Sequence, residues 1–179
     1  MSCIQLLRIG DVEEGLLQEL CKGLAAELRA PCELLPDALD PAFAYHRERQ
    51  QYHSTELLAR MGPYVSPRTW RLLGVASVDL YIPILTFVFG EAQVGDSCAI
   101  VSLHRLRQEF YGLPAEQLLL RERLLKEAVH ELGHTFELSH CDDYRCAMAP
   151  SHAVEWIDVK TSSFCATCRS RILASRSDF

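Results

Sequence analysis

No stretch of this chain reaches the roughly 20 consecutive apolar residues that a membrane-crossing helix needs. Its opening, MSCIQLLRIGDVEEGL, also lacks the long apolar region of a secretory signal. The expectation is a soluble cytoplasmic protein with no membrane partner. No run of Lys or Arg is present either: 18 basic residues stand against 24 acidic ones, for a formal net charge of -6. Binding to nucleic acid needs a basic stripe that neutralises phosphates, so a nucleic-acid partner is not expected. Internal repeats and low-complexity tracts are absent too, which sets aside solenoids and disordered linkers.

What is present is an ordinary globular composition, with 49% hydrophobic and 23% charged residues in 179. That length buries a sizeable core and suits one domain, expected as a monomer. The run Cys3 to Ile9 reads as a buried strand. Asp11 and Glu14 resemble a capping box, and apolar positions from Leu16 to Leu28 recur at helical spacing until Pro31. Cys32 to Leu35 then reads as a second strand, parallel to the first. Pro36 to Tyr52 is polar and proline-broken, the mark of a surface loop, and a helix should begin after Ser54. Leu72 to Leu80 is a third strand, while Thr86 to Gly90 and Cys98 to Leu103 make a hairpin. After Pro114 a long helix follows, with Leu118, Leu125, Ala128, Val129, Leu132 and Phe136 as its apolar stripe, so that His130, Glu131, His134 and Glu127 open away from the core. The fold class is therefore α/β (α+β), a mixed twisted sheet of about five strands with one antiparallel strand.

The chemistry concentrates between His130 and Cys168. In H-E-x-x-H on a helix, His130 and His134 project from one face toward one ion, with Glu131 beside them as a candidate general base. His140 supplies a third imidazole. Three protein ligands leave a fourth position for water, the arrangement of a catalytic zinc. Imidazole ligands would also suit iron, nickel or copper. The structural alternative is a solvated helix face with two surface histidines; His140 and the nearby cysteines weigh against it. His104 and His152 read as exposed or hydrogen-bonded histidines, and His46 and His53 receive no role.

Eight cysteines divide into two groups. Cys141, Cys146, Cys165 and Cys168 have metal-ligand spacing and would close a structural zinc site, making two zinc ions per chain. A redox CxxC would need only one pair, in a thioredoxin-like setting. Cys141 directly follows His140, so the two sites should be coupled. Cys3, Cys21, Cys32 and Cys98 lie in apolar segments and read as reduced, buried residues.

These residues resemble the archaemetzincins, a branch of the metzincin zinc metallopeptidases. The family pattern is HExxHxxGxxHC, four residues, C-x-M and a later CxxC. This chain supplies His130, Glu131, His134, His140, Cys141, Cys146, Met148, Cys165 and Cys168. The stretches LLGVASVDLYIPILTFVFGEAQ and AIVSLHRLR are similar to the family as well. The resemblance implies a metzincin-like sheet with an active-site helix and a zinc-bound irregular C-terminal segment: one domain over 1–179, with a sheet-and-helix part at 1–137 and a small part at 138–179. It implies Glu131 as general base, Met148 as a turn beneath the metal, and an antiparallel edge strand that holds a peptide or protein substrate. One position departs from it. Where the family has glycine, this chain has Glu137, at a point where a left-handed residue would swing His140 back to the metal. Either the turn forms with strain, or the helix runs on and displaces His140, or Glu137 approaches the metal. The function expected is zinc-dependent peptide hydrolysis. The alternative is a catalytically weak or inactive zinc-stabilised binding domain.

Overall fold

Alternation at a two-residue period sorts the central strands onto two faces, and this decides which helices can cover them. In the computed structural model, which describes residues 2–175, the elements in chain order are β1 (Cys3–Ile9), α1 (Glu14–Leu28), β2 (Cys32–Leu39), β3 (Tyr45–His46), β4 (Gln51–His53), α2 (Ser54–Met61), β5 (Thr69–Ala76), β6 (Leu80–Tyr81), β7 (Gly90–Ala92), β8 (Cys98–Ser102), α3 (Gln117–Thr135), α4 (Val154–Val159) and α5 (Ala166–Ser175). Five strands form the main sheet in the order β2-β1-β5-β8-β7. All neighbours are parallel except β7, which runs antiparallel to β8 at the edge. The expected sheet, including its one reversed strand, is thus the one observed.

One face of the sheet presents Ile4, Leu6, Leu73, Val75, Ala99 and Val101 to the leucines of α1 and to α3. The other presents Leu7, Ile9, Leu72, Ala76, Cys98 and Ile100 to Leu57, Leu58 and Met61 of α2. At about 1.5–3 kcal/mol for each fully buried aliphatic side chain, these two layers supply most of the folding drive. The chain after α3 does not build a separate core. Leu138, Met148, Ile157, Phe164 and Ile172 join the layer under α1 and α3.

Several sequence readings need correction. Pro36 to Tyr52 is not a plain loop: β2 continues to Leu39, and β3 and β4 form a small second sheet with β6. Alternation is too weak over two or three residues to reveal such strands. The third strand spans Thr69–Ala76 and not Leu72 to Leu80, and Thr86 to Gly90 is strand only at Gly90. Phe87 and Phe89 instead pack edge to face in an irregular segment. Helix α1 ends at Leu28 with Arg29 left-handed at φ 49, ahead of Pro31, and its N-cap Glu13 makes no side-chain cap. Leu118 is 67% exposed, whereas Glu127, His130 and Glu131 are 2, 5 and 6% exposed. Most of the second half of α3 is covered, because the C-terminal segment packs over part of the face left free by the sheet, and His134 stays half-buried. Cys21 and Cys32 are not separate thiols but a disulfide, with Cα atoms 5.4 Å apart; the turn after α1 lays its third helical turn over the start of β2. Cys3 and Cys98 are free and buried, as read. No helix among the described residues is long and apolar enough to cross a membrane.

Candidate active site

The site is made by the way α3 ends. Phe136 is its C-cap, and Glu137 follows with φ 62. The Glu137 N–H donates to the His134 carbonyl at 3.0 Å and the Leu138 N–H to the Gly133 carbonyl at 3.3 Å. This is a Schellman turn, whose left-handed position is usually glycine. The turn forms in spite of Glu137, at a local cost of about 1–2 kcal/mol for a left-handed residue bearing a Cβ. The Glu137 carboxylate lies against the turn at Gly95, where an added Cβ would sit 3.1 Å from Oε1, and it takes no part in the imidazole group.

The same turn orients a ligand. Leu138, placed by it, accepts a 2.7 Å hydrogen bond from His134 Nδ1, and the Ala147 carbonyl accepts one of 2.8 Å from His130 Nδ1. Both rings therefore carry their proton on Nδ1 and turn an Nε2 lone pair inward, 3.2 Å from each other. Two lone pairs so placed suit a shared cation. Tetrahedral ligands at the usual zinc–nitrogen distance would be about 3.4 Å apart. His140 completes the group: its ring stacks on that of His130 with centroids 5.3 Å apart, and the nitrogens of all three residues lie within 4.8 Å of one another. Burial keeps all three imidazoles below their usual range, most strongly His130, where the charge of Lys160 adds to the effect. They are held neutral, as metal ligation requires.

Cys141, Cys146, Cys165 and Cys168 form the second group, again within 4.8 Å. Cys141 Sγ and Cys165 Sγ are 3.8 Å apart, close to the spacing of about 3.8 Å that tetrahedral zinc–sulfur bonds impose. The backbone N–H groups of Met148 and Cys165 donate to Cys146 Sγ at 3.4 and 3.3 Å, which offsets in part the burial that raises this thiol above its usual range. Burial pushes the Cys168 thiol well up, with its sulfur neighbours adding to the effect. Two connections tie this group to the first: Cys141 continues from His140, and its N–H donates to the Met148 carbonyl at 3.0 Å.

The histidines open onto a cleft of about 460 Å³. One wall is the segment from Ile82 to Val94, including edge strand β7; the other is Pro150 to His152. His152 thus reaches the cleft, whereas His104 packs against Phe110. Glu131 sits in the cleft wall, and burial, followed by the charge of Glu127, raises its carboxyl well above the usual range. Gly90 lets it sit there, since an added Cβ would come 2.5 Å from the Ile100 carbonyl and 2.8 Å from Glu131 Oε1. Gly133 does the same for Met148, whose Sδ occupies the space a Cβ would need. Sequence reading passed over both glycines. It also missed Lys160 and gave Glu127 no part. Lys160 Nζ is fully buried, 2.7 Å from Glu127 Oε1, with its proton donated to the Ala149 carbonyl at 3.1 Å. Glu127 was within reach of sequence reading, being one helical turn before Glu131; Lys160 arrives only through the fold.

Residues 68–174 match the model of peptidase family M54. An archaemetzincin from Methanocaldococcus jannaschii is 41% identical over 170 residues, covering 95% of this chain and 91% of that protein. The chain belongs to the archaemetzincin family. A second archaemetzincin, from Thermococcus kodakarensis, is 36% identical over 180 residues, with 97% and 96% covered. Among solved structures, a zinc-dependent peptidase from Methanocorpusculum labreanum superposes with a TM-score of 0.86 at 33% identity, covering 94% of this chain and 99% of that one. The archaemetzincin of Archaeoglobus fulgidus, complexed with malonate, gives 0.81 at 36% identity, with the same coverage.

Two predictions follow from the joint. Glu137→Gly relieves about 1–2 kcal/mol of left-handed strain and gives back about 0.4–1 kcal/mol through a more flexible unfolded chain. The net gain is up to about 1.6 kcal/mol, read by denaturant unfolding; a variant less stable than wild type would contradict the strain. Because the imidazole pKa values are lowered from 6.5, protons compete with metal only at lower pH. Metal occupancy of the histidine site should hold as pH falls through 6.5 and drop below it. A decline already under way above 6.5, followed by dialysis and elemental analysis, would contradict this.

Proposed function

We propose that the protein is a zinc-dependent metallopeptidase, with His130, His134 and His140 holding the catalytic ion and Glu131 acting as general base. The observation that carries this reading is the convergence of three neutral imidazoles on one point at the floor of a cleft, beside a buried carboxylate. A zinc ion held by these three histidines would supply a water acidified to a pKa of about 7, Lewis-acid polarisation of the scissile carbonyl, and positive charge that favours the ionised form of the neighbouring carboxylate.

The chain's own residues do the rest. Glu131 accepts the proton of the attacking water on a carboxylate oxygen and then passes it to the departing amine. Its burial, which biases the carboxyl toward its protonated form, suits that second transfer. The Nδ1 hydrogen bonds to Ala147 and Leu138 keep both helix imidazoles turned to the same point. Edge strand β7 has its partner β8 on one side only and lines the cleft. An extended peptide can add to it antiparallel, so that main-chain hydrogen bonds align the scissile bond. Cys141, Cys146, Cys165 and Cys168 would hold a second zinc with no place in the reaction, which would fix Cys141 and through it His140. The departure at Glu137 was the ground for reading an inactive binding domain. The formed turn and the place of His140 in the group support the peptidase reading over that alternative.

Glu131→Gln should keep its zinc and lose roughly 10²–10⁴-fold in peptide hydrolysis, measured by mass spectrometry on a peptide library beside metal analysis. Removal of the histidine-bound zinc by a chelator should abolish the cleavage, and its return should restore it. If wild type and Glu131→Gln cleave the same peptides at equal rates, or neither cleaves any, the peptidase reading fails.

A further inference from the structure

A fully buried ammonium is costly unless it is paired, and a buried ion pair is rarely more stabilising than the apolar residues that could replace it. Lys160, which follows α4, is such an ammonium, at 2% exposure for the residue and 0% for its side chain. Its carboxylate partner is Glu127, 2.7 Å away, at 3% side-chain exposure. It also donates to the Ala149 carbonyl at 3.1 Å. His130 Nδ1 is 3.4 Å from Nζ; its proton goes to Ala147, so the ammonium is a close neighbour and not its hydrogen-bond partner.

Together these contacts close a ring. The Ala147 carbonyl is tied to His130, the Ala149 carbonyl is tied through Lys160 to Glu127, and between them Met148 packs into the space left by Gly133. The short segment from Ala147 to Ala149 is thus fastened to α3 at residues 127, 130 and 133. Fastening only one end would let it pivot about Met148, moving the carbonyl that orients the His130 ring.

We propose that Lys160 and Glu127 are positioning residues for the metal: their ion pair sets the height of the Ala147–Ala149 turn against α3 and thereby aims His130 Nε2 at the ion. Folding can proceed without the pair; correct metal geometry cannot. This rests on the reading of the three histidines as a zinc site.

The test is the double variant Glu127→Leu/Lys160→Met, which removes both charges and leaves neither partner stranded. Its metal-free form should unfold near the wild-type midpoint. Zinc at the histidine site should bind about 10–100-fold more weakly, the usual loss when a group supporting a ligand is removed. The visible spectrum of cobalt placed at that site should change. Wild-type zinc affinity and an unchanged cobalt spectrum in the double variant would overturn the proposal and make the pair a packing feature. Should the double variant not fold, Glu127→Gln is measured in its place. It keeps the volume and an acceptor for Nζ but loses the charge, and it should bind zinc more weakly and shift the cobalt spectrum; unchanged values would overturn the proposal. Wild-type protein that takes up no metal at the histidines would sink the zinc reading and this inference together, an outcome distinct from a variant that binds like wild type.

Discussion

Two imidazole nitrogens held 3.2 Å apart, each on a ring whose other nitrogen is tied to a backbone carbonyl, set the constraint that the rest of the structure serves. Lone pairs at that distance repel unless a cation lies between them. The arrangement must therefore be forced by its surroundings, and the surroundings are unusually complete. The second half of α3 is enclosed by the sheet on one side and by the C-terminal segment on the other. Burial keeps the rings neutral, and the two carbonyls fix their tautomers. Side chains fixed in this way limit the ordering that metal binding would have to impose.

The C-terminal segment performs several tasks at once. It supplies the carbonyl that orients His130, the methionine under the histidines, the buried cation beside Glu127, and the four sulfurs that fasten it. Thirty-odd residues with only two short helices cannot hold such positions by secondary structure alone. Four clustered cysteines at its root and shared packing with α1 and α3 replace that missing regularity. The strained turn at Glu137 belongs to the same economy: about 1–2 kcal/mol is borne locally because the bonds on either side of it determine the turn regardless.

Much of this was legible from residue identities. The strand–helix–strand start, the long helix, the reversed strand and the two candidate ligand groups follow from spacing and periodicity, because those signals are local. Glu137 could be flagged from sequence as the hinge of the site, since glycine belongs in a Schellman turn. The outcome could not be read off, since it depends on Leu138, Gly95 and Cys141 holding the turn from outside. The small second sheet escaped because strands of two or three residues carry no period. The Cys21–Cys32 disulfide escaped because pairing depends on how a helix lies over a strand.

The sequence by itself determined which atoms are available to bind metal and move a proton, because ligand type and helical spacing are properties of the chain. It also determined the central strands of the sheet, through the short apolar runs at β1, β5 and β8. Only the tertiary structure decided that the helix carrying the histidines is largely buried and reaches solvent only through the cleft. It alone decided that Gly90 and Gly133 make room for Glu131 and Met148, and that Lys160 ends beneath His130, 30 positions away along the chain. These are contacts between segments brought together by core packing. No local pattern encodes them, because each depends on where several independent elements come to rest.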